Sequence, residues 1–403
     1  MAIVVQKYGG TSLNSTKRIK EVTKRILEEK RKGSQVVVVV SAMGSSTDSL
    51  VEMSKEVSSH HPHHREMDML LSTGEQVTSS LVALALQSKG AGALSLTGWQ
   101  AGIYTEETFG DAAILSIDPR KIRAHLDQGK IIVVAGFQGV SENGEICTLG
   151  RGGSDTTAAA LAAELQADRC EIFTDVDGVF TADPRIVKEA KMIPKLTYKQ
   201  MQDLAEMGAG VVHPRAVVHA HRNNVPLFVR SSFDQQEGTR IDHFHEQTHV
   251  TGITVEKDLT HLTITVKEKT NIPEETSAAL KVIEDAGIVI RRALFKEDLY
   301  SFSFIIQSKD VKQTCSLLQR RPWISKVSCE NRSAVSVIFS HESLAFNFNN
   351  RLSKVLKTKR NGADIIFHRP RVWRVFVPDN ELSRTAQLLH DVFIAKPNLS
   401  VSI

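Results

Sequence analysis

Residues 3–40, IVVQKYGGTSLNSTKRIKEVTKRILEEKRKGSQVVVVV, contain one complete strand–turn–helix–strand cycle. Residues 3–6 and 35–40 are β-rich and mostly unbroken apolar runs, as expected of strands covered on both faces. Residues 15–31 carry a helical pattern, and the Gly9–Gly10 pair marks the turn between strand and helix. The cycle repeats to about residue 232, with further strands expected over 92–97, 131–136, 171–174 and 225–229. Helices are expected over 66–87, 119–128, 155–165 and 197–204. This alternation predicts a doubly wound α/β domain with a mainly parallel sheet. Ligands of such sheets sit in the loops at the C-terminal ends of the strands.

The 403 residues allow two or three domains and a core that needs no disulfide or metal. Lys+Arg 50 against Asp+Glu 46 leaves +4, too little to argue for a nucleic-acid or membrane partner. The longest purely aliphatic run, 36–40, falls far short of the ~20 residues of a membrane span. No signal-peptide pattern opens the chain. Cys147, Cys170, Cys315 and Cys329 lack CxxC spacing and are too sparse for a disulfide scaffold. The expected location is a reduced cytoplasm.

After residue 232 the periodicity stops, and 233–250 reads as a polar linker. Two similar units follow, 251–330 and 331–403, each patterned β-α-β-β-α-β, the ferredoxin-like motif. In the second, a helix is expected over 349–358 and strands over 364–367 and 372–377. A strand at 250–256 could pair into this second unit.

Three segments carry chemistry. Lys7-Tyr8-Gly9-Gly10-Thr11-Ser12 ends the first strand, where glycines let backbone N–H groups approach an anion and Lys7 adds a full charge. A tight turn beside a solvated lysine fits equally well. No GxxxxGK[ST] loop or GxGxxG fingerprint occurs, so the usual routes to a nucleotide are missing. Gly150-Arg151-Gly152-Gly153-Ser154-Asp155 opens an Ala-rich helix; its Arg suits a small carboxylate, and Asp155 reads as the N-cap. Residues 173–185, FTDVDGVFTADPR, join ordinary Asp-Gly and Asp-Pro turns to three Asp and an Arg, a set that also fits nucleotide recognition.

Taken in order, KYGGTS, VVVVSAMG, LLSTGEQ, GFQG, GRGGSD and FTDVDGVFTADPR resemble the aspartokinase family. The resemblance spans the chain and implies an amino-acid-kinase (carbamate-kinase-like) domain over 1–232 followed by tandem ACT domains. It implies transfer of phosphate from MgATP to L-aspartate, giving 4-phospho-L-aspartate and ADP, the opening step toward lysine, threonine, methionine and diaminopimelate. By that resemblance Lys7 would stabilise the β- and γ-phosphates with Gly9, Gly10 and Ser12, and Asp155 would orient Lys7. Arg151 would clamp the substrate α-carboxylate and Glu75 its ammonium, with Ser41, Thr47, Phe137 and Ser154 lining the pocket. Thr174, Asp175, Phe180, Asp183, Arg185 and Gly210 would serve the nucleotide, and Mg²⁺ would be held mainly by its phosphates. A homodimer through the ACT domains, with lysine or threonine as effector at their interface, is also implied. Two alternatives are a catalytically weak regulatory partner and a kinase for an aspartate-like acceptor.

The chain departs from the family pattern in places. Gly210 stands where a lysine is common, and Arg215 is the nearby cation that could compensate. Arg291-Arg292 stand where an acidic residue often meets an amino-acid effector, and together they would repel lysine. His60, His61, His63 and His64 around Pro62 read as a solvated loop rather than a metal site.

Overall fold

The computed structural model describes residues 1–58, 63–245, 249–267, 272–296, 301–319, 321–347 and 365–395. The chain forms two compact units. The first is Met1–Phe180 with Met192–Glu246, and the second is Thr181–Lys191 with Gln247–Ile403.

In the first unit the elements run β1 (Ile3–Tyr8), α1 (Thr16–Arg31), β2 (Gln35–Val40), α2 (Ser46–Val57), α3 (His64–Gln87), β3 (Ala93–Leu96), β4 (Ile103–Thr105) and β5 (Ile114–Ile117). They continue with α4 (Arg120–Asp127), β6 (Ile131–Ala135), β7 (Gln138–Val140), β8 (Ile146–Thr148), α5 (Gly153–Glu164), β9 (Arg169–Thr174), β10 (Lys195–Thr197), α6 (Tyr198–Glu206), α7 (Pro214–Arg222), β11 (Leu227–Ser231) and β12 (Thr239–Asp242). The main sheet has the order β10-β12-β11-β9-β1-β2-β6-β3. All its pairings are parallel except β11 with β12. Val36–Val40 are completely buried, as a strand covered on both faces requires. On one face Val36, Val38 and Val40 pack with Ile19, Val22 and Ile26 of α1, whose spacing puts them on a single stripe. Ser15 caps α1 by accepting the Arg18 N–H, and Lys30 and Arg31 fill its last turn, where cations are favoured. α5 is buried from Gly153 to Ala162, and its run of alanines removes bulk at a helix with no solvent face.

Three features of this unit lie outside the sequence reading. α2 and α7 form where no helix is expected, and β5-β4-β7-β8 make a separate small sheet. The stretch expected as linker over 233–250 contains β12, because Thr239 and Ile241 alternate inward and pair with β11.

The second unit is built on an antiparallel sheet of order β14-β15-β13-β16-β18-β17. Its elements are β13 (Val250–Val266), α8 (Ile272–Asp285), β14 (Arg292–Lys296), β15 (Ser301–Gln307), α9 (Val311–Gln319), β16 (Ile324–Phe339), α10 (Glu342–Asn347), β17 (Ile365–Arg369), β18 (Val372–Val377) and α11 (Leu382–His390). β13 and β16 are long enough to serve two half-sheets. Leu259–Thr265 pair with β15 and Leu259–Val266 with the first part of β16, whereas Val250–Glu256 pair with its last part, Ala334–Phe339. A register shift between Glu256 and Leu259, with Asp258 at φ 57°, separates the halves. Each half has its own apolar core, one around Leu262, Phe302 and Phe304, the other around Val335, Trp373 and Leu389. The excursion Thr181–Lys191 belongs to the latter, where Ala182 and Val187 are buried and Ile253 donates its N–H to the Thr181 carbonyl at 2.7 Å. The helix expected over 349–358 lies outside the described residues, as do His60, His61 and Pro62.

Candidate active site

β1 delivers Lys7 to the C-terminal edge of the main sheet and then turns through Gly9 and Gly10. A Cβ on Gly10 would stand 2.8 Å from the Ala42 carbonyl oxygen and 3.1 Å from that of Gly44. Only glycine lets the loops after β1 and β2 meet backbone to backbone, and Gly44 donates its N–H to the Gly10 carbonyl there. Lys7 Nζ lies 2.7 Å from Asp155 Oδ1, with both side chains nearly nine-tenths buried. Asp155 is not the N-cap of α5, as the sequence reading expects. The cap is Gly152, at φ 71° and without a side-chain bond, and Asp155 sits inside the first turn. The carboxylate is thereby freed for Lys7, and its Oδ2 accepts the His213 N–H at 3.3 Å.

From α3, Glu75 enters the site with 4% of its surface exposed. Gly74 lets the helix approach, since a Cβ there would be 2.8 Å from Ala42 Cβ. Glu75 Oε1 accepts the Ala42 N–H at 3.0 Å, while Oε2 is buried and has no hydrogen-bond partner among the described residues. Burial pushes its carboxyl up to about 7, against the smaller lowering effect of the Ala42 N–H. Opposite stands Phe137 at φ 71°, a left-handed conformation rare for a bulky residue. It is held there by two bonds: its N–H donates to Thr157 Oγ1, and its carbonyl accepts the Leu149 N–H.

Lys7, Gly10, Ser41, Thr47, Glu75, Phe137, Arg151, Ser154 and Asp155, all expected from the sequence, line one cavity of about 340 Å³. Gly150, Gly152 and Gly153 complete its wall, so the N-terminus of α5 faces the cavity with its positive dipole end. The other expected residues lie elsewhere. Gly9 donates its N–H to the Phe173 carbonyl, and Ser12 is fully buried with its hydroxyl given to Ser232. Thr174 ends β9 and donates to Asp175, and Phe180 pairs across to Met192. Asp183 and Arg185 lie on the excursion in the second unit, paired with each other at 2.8 Å, and the Arg185 guanidinium holds the Asp183 carboxyl below its ordinary range. Gly210 is at φ 65°, and a Cβ there would meet the Gly208 carbonyl oxygen at 3.8 Å.

Arg215, the cation expected to compensate for Gly210, is engaged by other groups. Its guanidinium donates to the Leu149 carbonyl and pairs with Asp111 at 2.9 Å. His213 was not anticipated. Its Nδ1 accepts the Arg215 N–H at the start of α7, and its ring fills the space a Cβ at Gly152 would need. A His-Pro pair opening a helix is the one sequence signal that could have revealed it. In the second unit Glu256 pairs with Arg291 at 3.0 Å and also with the buried Arg374, so one negative charge is shared by two arginines. Among the described residues no group of three His, Cys, Asp or Glu is placed to hold a metal ion.

A profile of the amino acid kinase family matches residues 2–231, the part of the chain that carries the main sheet and the Gly-rich cavity at its C-terminal edge. The chain is 50% identical to the aspartokinase of Geobacillus stearothermophilus over 325 residues, 79% of each chain. It is 43% identical to aspartokinase 2 of Bacillus subtilis strain 168 over 402 residues, 98% of each. Escherichia coli aspartokinase III, solved in complex with aspartate and ADP, has the same fold, with a TM-score of 0.81 and 24% identity over 96% of this chain and 99% of that one. The chain belongs to the aspartokinase family.

Proposed function

We propose that the protein transfers the γ-phosphoryl group of ATP to the side-chain carboxylate of L-aspartate, giving 4-phospho-L-aspartate and ADP. The observation that carries this reading is the shared cavity, which puts the Lys7–Asp155 pair and the α5 N-terminus beside Glu75 and Arg151. The first group suits phosphates and the second suits the ammonium and α-carboxylate of an amino acid.

The nucleophile needs no general base, since a carboxylate with an ordinary pKa near 4 is ionised at neutral pH. What remains is to align donor and acceptor and to offset charge on the transferring group. Lys7 supplies that charge at a position fixed by Asp155, and Gly10 and the α5 N-terminus add backbone N–H groups. Glu75, Arg151, Ser41, Thr47, Phe137 and Ser154 hold the acceptor so that its distal carboxylate points toward Lys7. Gly9, Thr174, Asp175, Phe180 and Gly210 serve the nucleotide in this reading. Mg²⁺ would arrive on the nucleotide phosphates: of the cavity's two carboxylates, Asp155 is engaged by Lys7, and Glu75 keeps its Oε2, unpartnered among the described residues, for the acceptor's ammonium. The same reading includes a cytoplasmic homodimer through the ferredoxin-like units, and lysine or threonine as effector.

Hydroxylamine added to enzyme, aspartate and MgATP traps an acyl phosphate as its hydroxamate. Hydroxamate should form with the wild type and not with Lys7→Ala. No trapped product at high enzyme concentration would sink the reading.

A further inference from the structure

Two turns before Glu75 on α3 lies Asp68, 1% exposed and outside the cavity lining. Its carboxylate is bound on both oxygens. Oδ2 accepts the N–H groups of Gly110 at 2.9 Å and Thr148 at 2.7 Å, and Oδ1 accepts the Thr148 hydroxyl at 2.7 Å. A carboxylate buried this deeply is tolerated only when such donors satisfy it. All three come from the small sheet and its loop rather than from the neighbours of α3 in the main sheet.

The location of those donors gives the arrangement its meaning. Thr148 is the last residue of β8, three before Arg151. The next residue, Leu149, is fixed on both sides, its N–H donating to Phe137 and its carbonyl accepting from Arg215. The chain therefore leaves Thr148 with little freedom and reaches Arg151 through Gly150 at φ 71°. At its base, this turn is pinned to the helix that also carries Glu75.

We propose that Asp68 is a positioning residue for acceptor binding. By tying the Arg151 turn to α3, it sets the spacing between the group that takes the acceptor's α-carboxylate and the group that takes its ammonium. The two form one preorganised clamp for the α-amino-acid head, and Asp68 is the brace between its jaws. This rests on the assignment of Glu75 and Arg151 given above.

Asp68→Asn keeps the contacts in form, its Oδ1 accepting the two N–H groups and its N–H₂ donating to the Thr148 hydroxyl, but removes the negative charge that strengthens all three bonds. Thr148→Val removes only the hydroxyl bond, and Thr148→Ser keeps it. The expected result is an aspartate KM raised roughly tenfold in Asp68→Asn and several-fold in Thr148→Val, the order expected for losing a buried charge-assisted bond. The ATP KM should rise less than the aspartate KM, since the turn adjoins the phosphate site only at the α5 N-terminus, and Thr148→Ser should be close to wild type. In an Arg151→Ala background, Asp68→Asn should add nothing further to the aspartate KM. Equal rises in both KM values, or full additivity with Arg151→Ala, would overturn the proposal. Amide hydrogen exchange over residues 148–153 needs no substrate and should speed up in both disruptive variants; unchanged exchange also overturns it. A wild type that does not phosphorylate aspartate would instead refute the functional reading, and the exchange result would still decide whether Asp68 pins the turn.

Discussion

Glu75→Gln keeps the shape of the side chain and the bond from the Ala42 N–H, and removes a charge that burial opposes. In the folded protein the carboxyl titrates near 7 rather than at its ordinary value near 4.5. A difference of that size is on the order of 3 kcal/mol. The folded state is the one that holds the extra proton. Stability therefore falls as pH rises from roughly 4.5 to 7 and stays at the lower level above that window. Glutamine does not titrate, so Glu75→Gln should nearly match the wild type in urea denaturation close to pH 4.5 and exceed it by up to about 3 kcal/mol at pH 8. Binding should move the opposite way. If the ionised carboxylate takes the acceptor's ammonium, only about a tenth of the wild type is competent at pH 6. Its aspartate KM should then be about tenfold higher at pH 6 than at pH 8. Phosphate monoesters also titrate near 6, so the variant serves as the control, with a weaker but flatter profile. A steady-state assay of ADP release, with aspartate varied at saturating MgATP, reads both profiles. A wild-type KM that does not change with pH would refute the reasoning. So would a variant no more stable than the wild type at pH 8.

Other substitutions test the remaining parts. Lys7→Ala should lower kcat by about 10²–10³ or more, the range seen when one fixed electrostatic contact to developing charge is lost, as measured by the same ADP-release assay. Gly152→Ala should cost about 1–3 kcal/mol in a thermal melt, because φ is 71° and the new Cβ would lie 2.3 Å from His213 Cγ; a wild-type melt would show that the turn can rearrange. Glu256→Gln removes a negative charge that Arg291 and the buried Arg374 share and should cost about 1.5–3 kcal/mol, read as a lower urea midpoint in tryptophan fluorescence.

The alternation of apolar runs and helical patterns made the parallel sheet legible, because those strands are buried on both faces and carry little else. The small sheet was not legible. β4, β7 and β8 have only three residues each, and their pairing depends on contacts such as Asp68 with Thr148 that leave no periodic trace. β12 is hidden for a related reason: a short strand in a polar stretch carries no period of its own and is defined by its pairing with β11. In the site, the glycines and charged residues that touch the cavity were visible as motifs. Residues that act through others, His213 and Asp68 among them, were not, since one His or Asp in a helix or turn has several ordinary uses. Asp155 is visible in the sequence, but its place in the first turn of α5 is not. A helix whose cap is a left-handed glycine does not need its first aspartate for capping, and only the backbone geometry reveals that.

The long strands β13 and β16 give the second unit a nested chain order. The half-sheet that ends the chain takes one of its strands, Val250–Glu256, from before the half-sheet that precedes it. No single cut separates the two. A fragment starting at Leu259 would keep the first half-sheet entire but leave the second with a bare edge along Ala334–Phe339, a template for pairing with other chains. During synthesis Val250–Glu256 must also wait for most of the remaining chain before its partner strand appears. The last half-sheet therefore closes last, around an inner one that can already be complete.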